Sequence, residues 1–157
     1  MGFDAKEYAL AAVKGGKDGF LRDVAALPDS ALLESYGGAA RAPINILFEI
    51  CYVNRRLATR LKGQDPGPFD VKFWAMTPVE FATREKAVAE FSQTMDEFIA
   101  ALEAIPADQM HAEIPTPSGH TTAFDLSLFL ATHLNYHDGQ LNYIQLLNGD
   151  TEMHWQD

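Results

Sequence analysis

Two histidines, His133 and His137, stand four residues apart in the stretch ATHLNYHDGQLNYIQLLNGD, residues 131–150. The stretch reads as helix, and a spacing of four places two side chains on one helix face. At about 100° per residue, Leu126, Leu130, Leu141 and Ile144 share one arc. His133 and His137 fall in the middle of that arc, with Gln140 beside them. Ser127, Asn135, Asp138, Asn142 and Gln145 fall outside it, on the opposite side or its edge. The imidazoles therefore point inward. An unpartnered buried polar group costs about 1–3 kcal/mol, so each ring needs a partner. Two readings follow from spacing alone. Either the rings are hydrogen-bonded core residues, or they are ligands of a divalent cation, which takes neutral imidazole nitrogens from facing helices of a bundle. The HxxxH pattern does not decide between them, since many helices contain it by chance.

Four long helical patterns must position this face. The first spans roughly residues 4–26, with Gly15, Gly16 and Gly19 each costing about 1 kcal/mol relative to Ala. A short turn or second helix follows Pro28. The second long helix opens near Pro43, tolerated in a first turn, and runs to about Lys62, where Gly63 stops it. Residues 63–77 form a connection that is long for a bundle and should cross it, with Phe69, Phe73 and Trp74 pinning it to the surface. The third helix is expected to open at TPVE, with Thr77 as cap, Pro78 in the first turn and Glu80 completing a capping box. Its inward stripe is Phe81, Val88, Phe91, Met95, Phe98 and Leu102. Pro106 ends it, residues 105–121 read as a loop, and Thr122 with Asp125 caps the last helix, which ends at NGD. No convincing strands appear. The expected fold is all-α: a single-domain four-helix bundle over residues 1–157, with a long crossover connection between helices 2 and 3.

Composition narrows the function. The chain has 157 residues, 47% hydrophobic, enough for one core without staples. A single cysteine excludes an internal disulfide and suits a reducing compartment. No apolar run approaches the roughly 20 residues of a membrane helix. The opening MGFDAKEYAL lacks signal-peptide order and has Lys6 where a myristoylation motif needs Ser or Thr. A cytoplasmic protein with no membrane partner is expected. Net charge is −10, and unevenly placed. Residues 1–78 hold 10 basic and 9 acidic groups, a balance of +1; residues 79–157 hold 2 and 13, a balance of −11. Such a surface repels phosphate backbones, so no nucleic-acid partner is expected. The basic run RRLATRLK, Arg55 to Lys62, reads mainly as charges that favour a helix C-terminus, with a phosphate-binding patch as the other reading.

The stretch THLNYHDGQLNYIQLLNGD closely resembles the last helix of the DinB-like (DinB/YfiT-like) superfamily of four-helix-bundle metalloenzymes, and NILFEICYVNRRLATRLKG resembles the second helix of one branch. The helix order, the long second connection and the acidic third helix agree, so the resemblance covers nearly the whole chain. It implies a divalent metal, zinc or nickel, held by one second-helix histidine and the HxxxH of the last helix. The latter pair maps onto His133 and His137. The second-helix histidine has no counterpart; by register Glu49 takes its place, which implies Glu49, His133 and His137 as metal ligands. Carboxylate oxygen is an acceptable donor for several divalent metals. By helical wheel, however, Glu49 lies about a quarter-turn off the apolar arc of Ile46, Ile50, Val53, Leu57 and Leu61, where it could instead pair with Arg56 or meet water.

Other residues read as follows. Gln140 and Tyr136 are the candidates for contact with a bound cofactor or substrate; packing is the other reading for Tyr136 and for Tyr143. Asp138 points outward and is a poor ligand. Cys51 reads as a small packing residue, His111 and His120 as solvated, and His154 with Trp155 as a subunit contact or a fraying end. The resemblance further implies a homodimer and a small-molecule activity using a low-molecular-weight thiol: a metal-dependent S-transferase in which the metal holds the thiolate. The ion is expected at the bundle's inner end, facing a pocket under the 63–77 loop. The alternative is a non-catalytic, stress-related binding or dimerisation bundle without metal.

Overall fold

The structure is a computed structural model and describes residues 2, 4–70 and 77–154. Four long helices dominate it: α1 (Ala5–Ala26), α3 (Pro43–Leu61), α4 (Arg84–Glu103) and α5 (Ala123–Leu147). A one-turn helix α2 (Asp29–Leu32) follows α1. A small antiparallel hairpin, β1 (Ile114–Thr116) and β2 (Gly119–Thr121), precedes α5.

Local chemistry sets the helix ends. The Asp4 carboxylate accepts from the backbone N–H groups of Lys6 and Glu7, capping α1. Pro43 opens α3 in a first turn that needs no donor from it. The Thr122 hydroxyl accepts from Asp125 N–H and donates to the Asp125 carboxylate, fixing where α5 begins. The start of α4 differs from expectation. Residues Val79–Phe81 form a single 3-10 turn, and Thr83, not Thr77, caps α4 by accepting from Lys86 N–H. Thr77 is instead the acceptor for the Asn45 side-chain amide. The hairpin was also not foreseen: Ile114 is half-buried and Gly119 adopts φ +142°, so a three-residue strand turns back within a segment dominated by proline. Phe73, Trp74 and Trp155 lie outside the described residues.

Helix α1 packs along α5, and α3 along α4, while the α1–α4 and α3–α5 seams are sparser. Partner residues give the directions. Phe20 stacks on Phe91 at 5.0 Å and Lys17 bonds Asp96, so α1 and α4 are antiparallel. Gly16 meets Leu134 while Gln145 donates to the Asp23 carbonyl oxygen, so α1 and α5 are parallel. Glu49 faces His133 and His137 while Leu57 shares a cleft with Phe129, so α3 and α5 are antiparallel. It follows that α3 and α4 run parallel. The connection between them must therefore return along the length of a 19-residue helix, about 28 Å. That is the physical reason for the long crossover.

The core is filled by Phe20, Phe91, Phe98, Met95, Leu102 and Leu130, all fully buried. The stripe expected on the third helix is buried as a set, with Val88 only partly so. Gly16 has a packing role: a Cβ there would stand 3.1 Å from Leu134 Cδ1, so the glycine lets α1 approach α5. Nothing in the structure explains Gly15, which has open space around it.

Candidate metal centre

The site lies on the sparse α3–α5 seam. Helix α5 supplies His133, His137 and Gln140, one face of two successive turns; α3 supplies Glu49 from its second turn. His137 is fully buried, and Glu49 is 7% exposed. The helical wheel places Glu49 at the margin of the core, facing Arg56 or water. It is buried because α5 covers that margin, and its partner is Arg41. The Arg41 guanidinium donates to Glu49 Oε2. This frees Oε1 to face both imidazoles, 3.6 Å from His133 Nε2 and 3.7 Å from His137 Nε2.

The two Nε2 atoms stand 3.0 Å apart, with their rings nearly perpendicular at 81°. His137 Nδ1 donates to the side-chain oxygen of Gln140 at 2.8 Å. That bond fixes the tautomer: a neutral His137 then turns the lone pair of Nε2 toward the centre. His133 Nδ1 is buried and has no hydrogen-bond partner among the described residues. Phe129 stacks on the His133 ring (10° between planes), and the Tyr136 ring meets His137 edge-on at 4.9 Å. Burial alone would raise the Glu49 carboxyl. The nearby imidazoles of His133 and His137, and the hydrogen bond and charge of Arg41, outweigh it and hold Glu49 well below the usual carboxylate range.

These three residues form a group that could hold a metal ion, their donor atoms within 4.8 Å of one another. The donor set can be tested against a cation. Ligands about 2.0–2.1 Å from a tetrahedral zinc stand roughly 3.3 Å apart. The observed separations of 3.0, 3.6 and 3.7 Å bracket that figure. Without a cation, two imidazole nitrogens facing each other at contact distance offer one hydrogen-bond geometry and leave the remaining lone pairs unmatched. Two imidazoles and one carboxylate suit zinc and several other divalent metals, and leave a position open.

A cleft of about 690 Å³ lies on the Arg41 side, lined by Tyr36, Ile46, Tyr136, Gln140 and Tyr143 among others. A second, of about 450 Å³, reaches Glu49 and His133 from the other side, under Phe69 of the long connection. Tyr136 and Tyr143 are each 63% exposed, although the Tyr136 ring also packs against His137. Asp138 faces Asp23, not the centre, and burial followed by that neighbour raises its carboxyl to about 7. Gln145 and Ser127, placed off the apolar arc by the wheel, are buried: Gln145 donates to Asp23, and Ser127 donates to the Ala123 carbonyl. Cys51 is buried, and burial pushes its thiol up to about 12. His111 and His120 are exposed, and His154 bonds Asp150 at 2.7 Å. Arg41 was not foreseen. It lies just before α3 begins, where a helical wheel carries no information about direction.

The fold is a bundle in which each long helix packs beside one parallel and one antiparallel neighbour. Three solved structures resemble this fold. YfiT from Bacillus subtilis, described as a probable metal-dependent hydrolase with an unusual four-helix bundle topology, superposes with a TM-score of 0.75 at 15% identity, over 95% of this chain and 90% of that one. A conserved protein from Enterococcus faecalis gives 0.71 at 12% identity, over 94% and 99%. The DinB-like protein YjoA from Bacillus subtilis gives 0.67 at 14% identity, over 93% and 94%. At such identities these likenesses show the fold. The family model of the DinB superfamily matches residues 16–141, and the chain belongs to that superfamily. No curated protein matches it in sequence.

Proposed function

We propose that this chain is a metal-dependent enzyme in which Glu49, His133 and His137 hold one divalent cation, zinc or nickel. The observation that carries the reading is the convergence of three buried or half-buried donor atoms, 3.0–3.7 Å apart, with Arg41 and Gln140 occupying the outer atoms of two of them. A cation there would supply a Lewis acid able to keep a bound thiol as thiolate near neutral pH. The chain's own residues do the rest. Arg41 keeps Glu49 ionised and turned inward, Gln140 orients His137, and Phe129 with Tyr136 shields the rings from water. Tyr136 and Gln140 line the larger cleft and would contact the substrate or thiol.

The reaction proposed is S-transfer from a low-molecular-weight thiol to an electrophile. Cys51 supports an external thiol, since the one cysteine of the chain is buried and its own thiol is pushed up to about 12. Hydrolysis is the second reading, favoured by the description of YfiT as a probable metal-dependent hydrolase. Thiol consumption on incubation with a small alkyl halide supports transfer; cleavage of amide or ester probes without thiol supports hydrolysis. The non-catalytic bundle remains the opposing case. Its prediction is a melting temperature that added metal leaves unchanged.

A homodimer and a cytoplasmic location are part of the proposal. Tyr143, Leu146 and Leu147 are more than half exposed near the end of α5, and a patch of this kind suits a subunit contact. The −10 charge is the ground for proposing no nucleic-acid partner; a salt-sensitive shift with random duplex DNA would contradict it. No described helix is long and apolar enough to cross a membrane. The decisive check on the enzyme is metal content of protein purified without a nickel column. About one ion per chain is expected, and less than about 0.2 with no uptake of added zinc or nickel removes the reading.

A further inference from the structure

The arginines on α3 and around it differ in what they meet. Arg41, Arg55 and Arg84 each meet a carboxylate: Glu49, Glu90 and Asp29. Arg56 and Arg60 meet none among the described residues. The Arg56 guanidinium donates only to neutral oxygens: the Tyr52 hydroxyl (3.2 Å) and the carbonyls of Pro66 (3.1 Å), Gly67 (2.7 Å) and Pro68 (3.0 Å). It also lies over the Tyr52 and Phe69 rings at 5.4 and 5.3 Å. Arg60 makes no hydrogen bond or ion pair among the described residues. Both are half-buried, and both line the cleft that reaches Glu49 and His133.

Two cations without an acidic partner, four residues apart on one helix face, repel each other, and burial removes part of their hydration. In a chain of net charge −10, carboxylates are abundant, yet the nearby ones are turned elsewhere. Asp65 accepts from Gly67 N–H, and Asp125, on the rim of the adjoining cleft, accepts from the Thr122 hydroxyl. The helix dipole accounts for a cation in the last turn of α3, but is indifferent to which side of the helix it occupies. The cleft side is the one taken. Between these cations and the His133 ring the walls are apolar: Val53, Leu57, Phe69 and Phe129.

We propose that Arg56 and Arg60 form an oxyanion subsite of this cleft, so that the substrate of the centre is a small amphiphilic acid. Its carboxylate or phosphate sits between the two guanidiniums, and its apolar body lies along Phe69 and Phe129. Glu49 and Arg56 are seven residues apart, about 10 Å along the helix, which fits an acid whose charged group is several carbons from its reacting atom. Arg56 is pre-organised by the carbonyls that hold it; Arg60 is free to close on the anion. The assignment as a subsite of the centre rests on the metal reading above, whereas anion binding itself does not require the metal.

Calorimetric titration separates the two. The probes are 4-phenylbutyrate, 3-phenylpropyl phosphate and, as neutral control, 4-phenylbutan-1-ol, each against protein stripped with chelator and against protein loaded with zinc. The account expects an acid or phosphate to bind at least about tenfold more tightly than the alcohol, and Arg60→Gln to remove about that factor. Arg60 has no hydrogen bond to lose, so the variant should fold, as its melting curve will show. Tighter binding of the phosphate assigns the subsite to phosphate esters, tighter binding of the carboxylate to carboxylic acids. Equal binding of acid and alcohol, or full affinity in a folded Arg60→Gln, overturns the subsite. Normal zinc uptake with no anion binding removes the subsite and leaves the centre. Anion binding without zinc uptake removes the centre and leaves the subsite as a binding cleft only.

Discussion

Glu49 has two oxygens with different duties. One accepts from Arg41, and the other faces the imidazoles. Replacing Arg41 by Ala leaves that carboxylate free to rotate, and the account predicts metal affinity lower by about 10–100-fold, read by competition with a coloured chelator. Gln140→Ala should act in the same direction through the tautomer of His137. The histidine pair was legible from spacing because two polar side chains in an apolar arc break the helical pattern. Glu49 was legible only through a resemblance, because its burial depends on where α5 lies, and no wheel of α3 contains that. Arg41 was illegible, since it acts from outside any periodic element. A second pair of acids behaves differently from the site. Asp138, raised to about 7 by burial and by Asp23, holds a proton in the folded protein that the unfolded chain, at an ordinary 3.8, gives up. A raised carboxyl costs stability as pH climbs from about 4 to about 7, and the cost stays constant above that. Asp138→Asn should therefore be the more stable protein at pH 8 and near-equal at pH 4. The gain should be about 1–2 kcal/mol, below the full shift because Asp138 keeps contact with solvent, and urea unfolding at both pH values measures it.

Helix ends and helix approaches carry the next scale. The capping-box signal was read correctly at Thr122 and misplaced at Thr77, although both precede an acidic residue three positions on. The difference is downstream. Phe81 must reach the core against Phe48, and a 3-10 turn followed by a fresh start at Thr83 delivers it there. Propensity cannot register such a long-range demand. The hairpin was missed for a related reason: three-residue strands offer too little alternation to read. Thr122→Ala should cost about 1 kcal/mol, as loss of a side-chain cap does, seen as a lower midpoint in thermal or urea melts. The glycines of α1 separate cleanly. Gly15→Ala meets open space and should stabilise the helix by up to about 1 kcal/mol, whereas Gly16→Ala meets Leu134 at 3.1 Å and should destabilise. Equal effects at the two positions would contradict the packing described for α1 and α5.

For the molecule as a whole, the order of helices explains why the site exists where it does. Parallel α3 and α4 force a long return connection. The tight pairs are α1–α5 and α3–α4, and the looser α3–α5 seam is left for polar groups and clefts. A bound cation would tie that seam together, so added zinc should raise the melting temperature of the wild type but not of His137→Ala. The rise is expected even if the reaction proves to be hydrolysis and not S-transfer. The central claim is that Glu49, His133 and His137 share one cation. Anomalous scattering, collected at the zinc and nickel absorption edges from crystals of untagged protein, tests it most directly. The account predicts a single strong peak per chain, about 2.0–2.2 Å from Glu49 Oε1 and from the Nε2 atoms of both histidines. Crystals soaked in either metal that show no peak between these residues, or a peak elsewhere only, would contradict it.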